Sequence, residues 1–324
     1  MNNYILNGLI AFCISVVFAL IFIPVLKKVK AGQTILFYVK EHEFKNGTPT
    51  MGGLFFMISI LLTYLIFSKK GGIATVCVAI AFAYLAIGFL DDLIKIKSSA
   101  NEGLKPYQKI VFQLAVAIIS GFFALKNNLT LIYLPFVNKT FDVGIFIMPI
   151  TIFVLVAITN SVNLTDGLDG LAGSVSVVYL IGLLFVLIVK YDAFGGEYYL
   201  IEELPAVKNL IVISIGAIIG FLCFNTNKAS IFMGDTGSLS LGALLGTLTI
   251  FTGNVLFMPL LGLMFVLSSL SVIIQVLHFK RTGKRIFLMA PLHHHLQHKG
   301  LSEAKISLIY SVITAIIVVF IVIF

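Results

Sequence analysis

With 324 residues, 59% of them hydrophobic and only 11% charged, and a mean hydropathy of +1.08, the chain falls outside the water-soluble globular class and reads as a polytopic membrane protein. Its formal charge of +8 does not indicate nucleic acid: no basic run is interleaved with aromatics as a base-stacking groove requires, and the lysines flank apolar segments, where they set topology and meet anionic head groups. Cys13, Cys77 and Cys223 lie inside apolar runs without a Cys-x-x-Cys pair, which excludes a disulfide framework and a zinc knuckle and makes them small buried hydrophobes.

The start, Met1-Asn2-Asn3-Tyr4, has no basic region before its apolar run, so a removable signal peptide is not expected and the first span stays. Ten apolar stretches of about membrane-spanning length follow, at 5–26, 51–67, 73–90, 110–125, 146–158, 171–189, 210–224, 239–251, 255–277 and 306–324. The eighth and fifth are short, and Gly242 and Gly246 imply close helix contact rather than a free span in lipid. The expected fold is an all-α polytopic membrane protein with about ten transmembrane helices, a small outer-face β-hairpin and polar cytoplasmic loops, forming a single integral membrane unit over 1–324.

Sidedness follows from the basic residues. With the amino terminus outside, the inner connections hold Lys27, Lys28, Lys30, Lys40, Lys45, Lys95, Lys97, Lys105, Lys109, Lys228, Lys280, Arg281, Lys284, Arg285, Lys299 and Lys305. The outer ones hold only Lys69, Lys70, Lys126, Lys139, Lys190 and Lys208, and both termini then face out. The outer connections are chemically thin: 128–147 alternates around Pro135 as a hairpin, and 191–204 is a solvated acidic loop or short surface helix. All six histidines and most of the acids fall on the inner side, so chemistry is expected at the cytoplasmic surface.

Five polar islands lie there. Lys45-Asn46-Gly47-Thr48-Pro49-Thr50-Met51-Gly52-Gly53 is not a Walker A loop, whose lysine follows its glycines, but Lys45 and Thr50 at a helix start suit a phosphate or carbonyl. Asp91 and Asp92 close an apolar helix, where the negative end of its dipole disfavours them by about 0.3–1 kcal/mol each unless a cation meets them. The plainer reading is that Lys95 and Lys97 pair with them at the interface. From Asn160 to Gly173, Asn163, Asp166 and Asp169 interrupt two apolar runs, with Gly167 and Gly170 admitting close backbone approach. Asp166 or Thr165 as a mere cap of the next helix is the bland alternative.

Asp235, between Gly234 and Gly237 and followed by two hydroxyls, suits a hard oxygen-loving ion such as Mg²⁺, a phosphate nest, or the N-cap of the eighth helix. Phe232 just before it is a face for a flat ring, or an interfacial anchor. In Pro291-Leu292-His293-His294-His295-Leu296-Gln297-His298 consecutive rings point in three directions, against a shared metal and for one or two reaching a phosphorylated ligand. A basic juxtamembrane segment on phospholipid is the duller possibility.

These islands in this order closely resemble the phospho-N-acetylmuramoyl-pentapeptide transferases, within the polyprenyl-phosphate N-acetylhexosamine-1-phosphate transferase superfamily. The likeness runs through 45–53, 89–95, 159–173, 224–239 and 285–300, nearly the whole chain, and the run Pro291 to His295 separates it from relatives that transfer GlcNAc-1-phosphate, the alternative activity. The resemblance implies transfer of phospho-MurNAc-pentapeptide from UDP to undecaprenyl phosphate, giving lipid I and UMP with Mg²⁺, by a multi-pass protein of the bacterial plasma membrane. It implies a homodimer and inhibition by nucleoside antibiotics. By position it makes Asp91, Asp92, Asp235 and His293 catalytic, with Asp235 the Mg²⁺ ligand. It puts Lys45, Thr50, Asn163, Asp166, Gly167, Leu168, Asp169, Asn225, Phe232, Gly234 and His294 at the substrates, Phe232 stacking on uracil.

Two places depart from the family pattern: 32–40 lacks an arginine and a Gly-Pro pair, and Lys228 stands where proline is frequent. Joining two anions calls for positioning and a cation. Asp91 is expected to deprotonate or place the lipid phosphate, and attack by Asp91 or Asp92 through a covalent intermediate stays open. A transporter is the rival from another class, but its site belongs at the midplane between repeated halves, whereas these acids sit at span ends and no repeat is visible.

Overall fold

The computed structural model describes residues 2–28, 47–68, 72–98, 103–137, 139–189, 202–226 and 228–323. Every predicted apolar stretch falls on helix. The order is α1 (Asn2–Lys28), α2 (Gly53–Phe67), α3 (Gly72–Ser98), α4 (Pro106–Lys126), β1 (Leu131–Leu134), β2 (Lys139–Asp142), α5 (Ile147–Thr165) and α6 (Leu171–Val189). Then come α7 (Leu204–Asn225), α8 (Gly234–Phe251), the short α9 (Met258–Leu261), α10 (Leu263–Thr282), α11 (Leu292–His298) and α12 (Glu303–Ile323). Among the described residues eight helices are long and apolar enough to cross a membrane. The molecule is a multi-pass membrane protein. The 15-residue α2 is shorter, and α8 is diluted by Asp235, glycines and hydroxyls.

Local chemistry sets the helix ends. Proline opens α4 and α7, where its missing N–H costs nothing, and Gly283, at φ +68°, ends α10 in the left-handed conformation that a Cβ disfavours. Two boundaries differ from expectation. The aspartates do not close α3, which runs on to Ser98 because Lys95 and Lys97 suit its last turn and Lys95 reaches Asp91. The ninth stretch is broken: a 3₁₀ turn at Val255–Phe257 and the single turn of α9 stop at Gly262, from which α10 restarts.

The centre of the bundle is α8, sixteen of whose residues, Thr236 to Phe251, are buried. Its small residues allow backbone contact: a Cβ on Gly53 of α2 would collide with Gly237, one on Gly88 of α3 with the carbonyl of Asp235, and one on Gly242 with Thr159 of α5. The same device joins α1 to α7 at Gly8 and Gly216. By contrast α1, α4, α10 and α12 leave most of their apolar surface uncovered, as helices facing hydrocarbon do. Cys13 on α1 and Cys223 on α7 are exposed; only Cys77 is buried as expected.

The expected hairpin is a two-stranded antiparallel sheet in which Leu131 faces Asp142 and Leu134 faces Lys139. It docks through Tyr133, whose N–H donates to Gly253 O (2.9 Å) and whose ring stacks on Phe257. Most of the acidic loop 191–204 lies outside the described residues. Glu203, at its end, accepts from Ile73 N at 3.0 Å, where it satisfies the start of α3.

Candidate active site

The first turn of α8 is capped from another helix. Asp92 Oδ1 accepts from Asp235 N (3.2 Å), and Asp92 Oδ2 accepts from Thr236 N (3.0 Å) and Thr236 Oγ1 (2.7 Å). A carboxylate at a helix N-terminus answers both its orphan donors and its dipole. Both aspartates of α3 are 1% exposed, so their charge survives only through such partners. Met233 rather than Asp235 holds the cap position, and Asp235 is left to point at a cluster of its own.

In that cluster Lys95 and Lys109 share two carboxylates. Lys95 Nζ lies 2.7 Å from Asp91 Oδ2 and 3.0 Å from Asp235 Oδ2; Lys109 Nζ lies 2.6 Å from Asp235 Oδ2 and 3.3 Å from Asp91 Oδ2. Asp91 Oδ1 also accepts from Leu104 N (2.8 Å), and Asn163 Nδ2 donates to Asp235 Oδ1 (2.7 Å) and to Ser238 Oγ (2.8 Å). Three carboxylates against two ammonium groups leave the group negative. Asp91, Asp92 and Asp235 each offer an oxygen within 4.8 Å of the others. An oxygen-only donor set suits a hard divalent cation, and with Asp92 committed to α8 the available ligands are Asp235 and Asp91.

The islands converge on this point. Phe232 N donates to Pro49 O (2.8 Å) and Gly52 N to Phe232 O (2.9 Å), which ties the segment before α2 to the one before α8. Thr50 is buried, its Oγ1 has no hydrogen-bond partner among the described residues, and it lies beside Asp92 and Gly234, whose φ of +72° and lack of space both require glycine. The turn between α5 and α6 brings Asp166, Gly167, Leu168 and Asp169. Asp169 Oδ2 accepts from Ala229 N (2.9 Å), and Gly170 N donates to Asn225 Oδ1 (3.1 Å), whose Nδ2 donates on to Ile231 O (2.9 Å). Asp166 is half-buried, and loss of water followed by the charges of Asp235, Asp92 and Asp169 holds its pKa well above the usual range. Thr165 turns its hydroxyl back to Ser161 O, so it does not cap the next helix.

The histidines divide as their helical spacing requires. His293 is fully buried against Gly167, both ring nitrogens without a hydrogen-bond partner among the described residues, and burial, then His294, push its pKa down to about 3. His294 stands beside it, rings 4.4 Å apart, while His295 accepts from Leu288 N and shapes the preceding loop. Lys45 and the departing segment 32–40 lie outside the described residues. Lys228 adopts φ +65°, which proline cannot, so its loop takes a course that the proline expected there from the resemblance would forbid. The sequence reading missed Lys109, Thr236, Ser238 and Glu303 as site residues and took Lys95 for a surface partner. Only Lys95 carried a local signal, its i,i+4 spacing from Asp91.

Residues 73–253 match the model for glycosyl transferase family 4, and residues 45–57 match signature 1 of the phospho-N-acetylmuramoyl-pentapeptide-transferases. A phospho-N-acetylmuramoyl-pentapeptide-transferase of Clostridium botulinum (strain Eklund 17B / Type B) is 43% identical over 322 residues, 98% of this chain and 95% of the relative. Proteins of the same name from Clostridioides difficile (strain 630) and Thermoanaerobacter sp. (strain X514) are 40% and 38% identical, over 96% and 98% of this chain and 94% and 96% of their own lengths. By full-length likeness and by the signature over its first polar island, the chain belongs to the phospho-N-acetylmuramoyl-pentapeptide-transferase family.

Proposed function

We propose that the protein transfers phospho-N-acetylmuramoyl-pentapeptide from UDP to undecaprenyl phosphate, forming lipid I and UMP for peptidoglycan, at the cytoplasmic face of the bacterial plasma membrane. The observation that carries this reading is the meeting of Asp91, Asp235, Lys95 and Lys109 beside the 166–170 turn and the buried His293. A water-soluble nucleotide and a lipid phosphate can meet only where spans end. Asp235, with Asp91 beside it, would hold Mg²⁺, which when bound would disperse charge on the pyrophosphate and the leaving UMP.

The chain's own residues do the positioning. Asp92 fixes the start of α8 and with it Asp235. Lys95 and Lys109 are the cluster's fixed positive charges, and phosphate oxygens entering it compete with Asp235 Oδ2 for them. Asp91 orients the lipid phosphate or takes its proton; in the other route Asp91 or Asp92 attacks the sugar-linked phosphorus and releases UMP, and the lipid phosphate then displaces the aspartate from that phosphorus. Phe232 stacks on uracil, Lys45, Thr50, Asn163, Asp166, Gly167, Leu168, Asp169, Asn225 and Gly234 bind the substrates, and His293 and His294 serve the phosphates. The same reading carries ten membrane-spanning helices, an outer hairpin, both termini outside, a homodimer and sensitivity to nucleoside antibiotics.

The test gives purified protein undecaprenyl phosphate, Mg²⁺ and either UDP-MurNAc-pentapeptide or UDP-GlcNAc and follows UMP. Release from the first donor, abolished by chelation and restored by Mg²⁺, is the expected result. Product from UDP-GlcNAc alone would replace the reading with GlcNAc-1-phosphate transfer.

A further inference from the structure

We propose that Glu303 is a positioning residue that holds the donor turn 166–170 in register with the histidine arm. The proposal rests on the transfer reaction above and assigns a part of it to a residue outside the five polar islands.

The turn cannot hold itself. Asp166 N donates back into α5, to Val162 O, and Leu171 N donates to Leu168 O inside the turn, but Asp169 N and Gly170 N point out of it. Gly170 N reaches Asn225 Oδ1, and Asp169 N reaches Glu303 Oε2 at 3.0 Å, across 134 residues. Asp169 is 5% exposed, so its N–H without that acceptor is a buried unsatisfied donor. A carboxylate acceptor makes the bond charge-assisted. The side chain of Asp169 is engaged with Ala229 N, which makes the Glu303–Asp169 contact one link in a line from α12 through the turn to the 228–233 segment that carries Phe232.

Position in the chain gives the contact its meaning. Glu303 opens α12 a few residues after α11 ends, and α11 lays His293 and His294 on Gly167. One short segment therefore touches the turn twice, through rings at Gly167 and through the carboxylate at Asp169. One helical turn further on, Ser174 and Ser307 hydroxyls lie 3.0 Å apart, so the seam between α6 and α12 continues the same register. An acid that merely complemented the α12 dipole would need no fixed reach; an acceptor for Asp169 N needs the full length of glutamate.

The experiment compares full-length Glu303→Gln, Glu303→Asp and Glu303→Ala proteins in the UMP assay, titrating each substrate with the other saturating, and follows hydrogen exchange of the peptide spanning 166–170. The expected result is that Ala and Asp raise the KM for UDP-MurNAc-pentapeptide roughly tenfold and speed exchange in that peptide. The KM for undecaprenyl phosphate stays within about twofold, and Gln, whose amide oxygen still accepts, restores donor KM and slow exchange. Wild-type behaviour of the Asp variant, or equal damage from Gln and Ala, shows that charge and not a placed acceptor matters, and overturns the proposal. So does a parallel rise in both KM values. If the wild-type protein itself releases no UMP from either donor, the transfer reading fails, and the exchange comparison still decides whether Glu303 holds the turn.

Discussion

The three clustered aspartates are the same side chain with three duties, set by what each accepts: Asp92 takes the α8 N-terminus, Asp91 takes Leu104 N and two lysines, and Asp235 takes Asn163 and the same lysines. Burial works the other way on His293, which stays neutral where an exposed imidazole would charge. Its pKa is about 3 in the folded protein against the usual 6.5, so between those values the unfolded chain binds a proton that the folded one refuses. Each unit of acidification in that window therefore costs at most about 1.4 kcal/mol. Asp166 has the opposite sign: its raised pKa means that the folded form keeps a proton the unfolded form has lost, and stability falls as pH rises above the usual 3.8. Comparing the wild type with His293→Gln isolates the histidine. Melting temperature in detergent should fall more steeply from pH 7 to pH 5 in the wild type than in the variant, and parallel slopes would show that His293 is not held neutral. The acids were legible in the sequence because carboxylates beside apolar runs are conspicuous. Lys109 and Thr236 were not, because the aspartates they hydrogen-bond, Asp235 and Asp92, lie 126 and 144 residues away and only the folded bundle brings them together.

At the scale of elements, the cluster exists because α8 is pressed against α2 and α3 without side chains between them. A Cβ on Gly88 would meet the backbone of Asp235 and Thr236, the same peptide groups that Asp92 caps, and backbone cannot rotate aside. Gly246, further along α8, faces only side-chain methyl groups of Ile158 and Leu155, which give more readily than backbone does. Gly88→Ala should thus lower stability by about 1–3 kcal/mol and lose most UMP turnover by displacing the first turn of α8. Gly246→Ala, the control, should melt within a few degrees of the wild type and keep its turnover, with melting curves and UMP release read on the same preparations. Wild-type turnover in the Gly88→Ala protein would mean that the helix contact does not set the cluster. Helix existence was readable from apolar runs, and the small-residue pattern of α8 foretold its tight packing. The break at Gly262 was passed over because the residues on both sides are uniformly apolar, although Pro259 and Gly262 themselves are the local signal for it.

Across the whole molecule the contacts sort by end. Among the described residues, segments expected inside make long-range polar contacts with one another: 49 with 232, 91 with 104, 95 and 109 with 235, 169 with 229 and 303. Segments expected outside pair among themselves, Ile73 with Glu203, Ser68 with Asn209 and Tyr133 with Gly253. One end of the bundle thus carries the carboxylate, lysine and histidine chemistry, and the other carries a hairpin and helix caps. By the positive-inside rule the excess of lysine and arginine at the chemical end is expected to put that end in the cytoplasm, the side the proposed nucleotide donor requires. The orientation is open to direct measurement in intact cells with a membrane-impermeant thiol reagent, on a background in which Cys13, Cys77 and Cys223 are replaced by alanine. Lys139→Cys, on β2, should label from outside without disruption of the membrane. Lys284→Cys, after α10 in the basic segment leading to the histidines, should label only once the membrane is opened. The reverse pattern would put the aspartate cluster outside, away from any UDP-linked donor, and the transfer reading would fall with it.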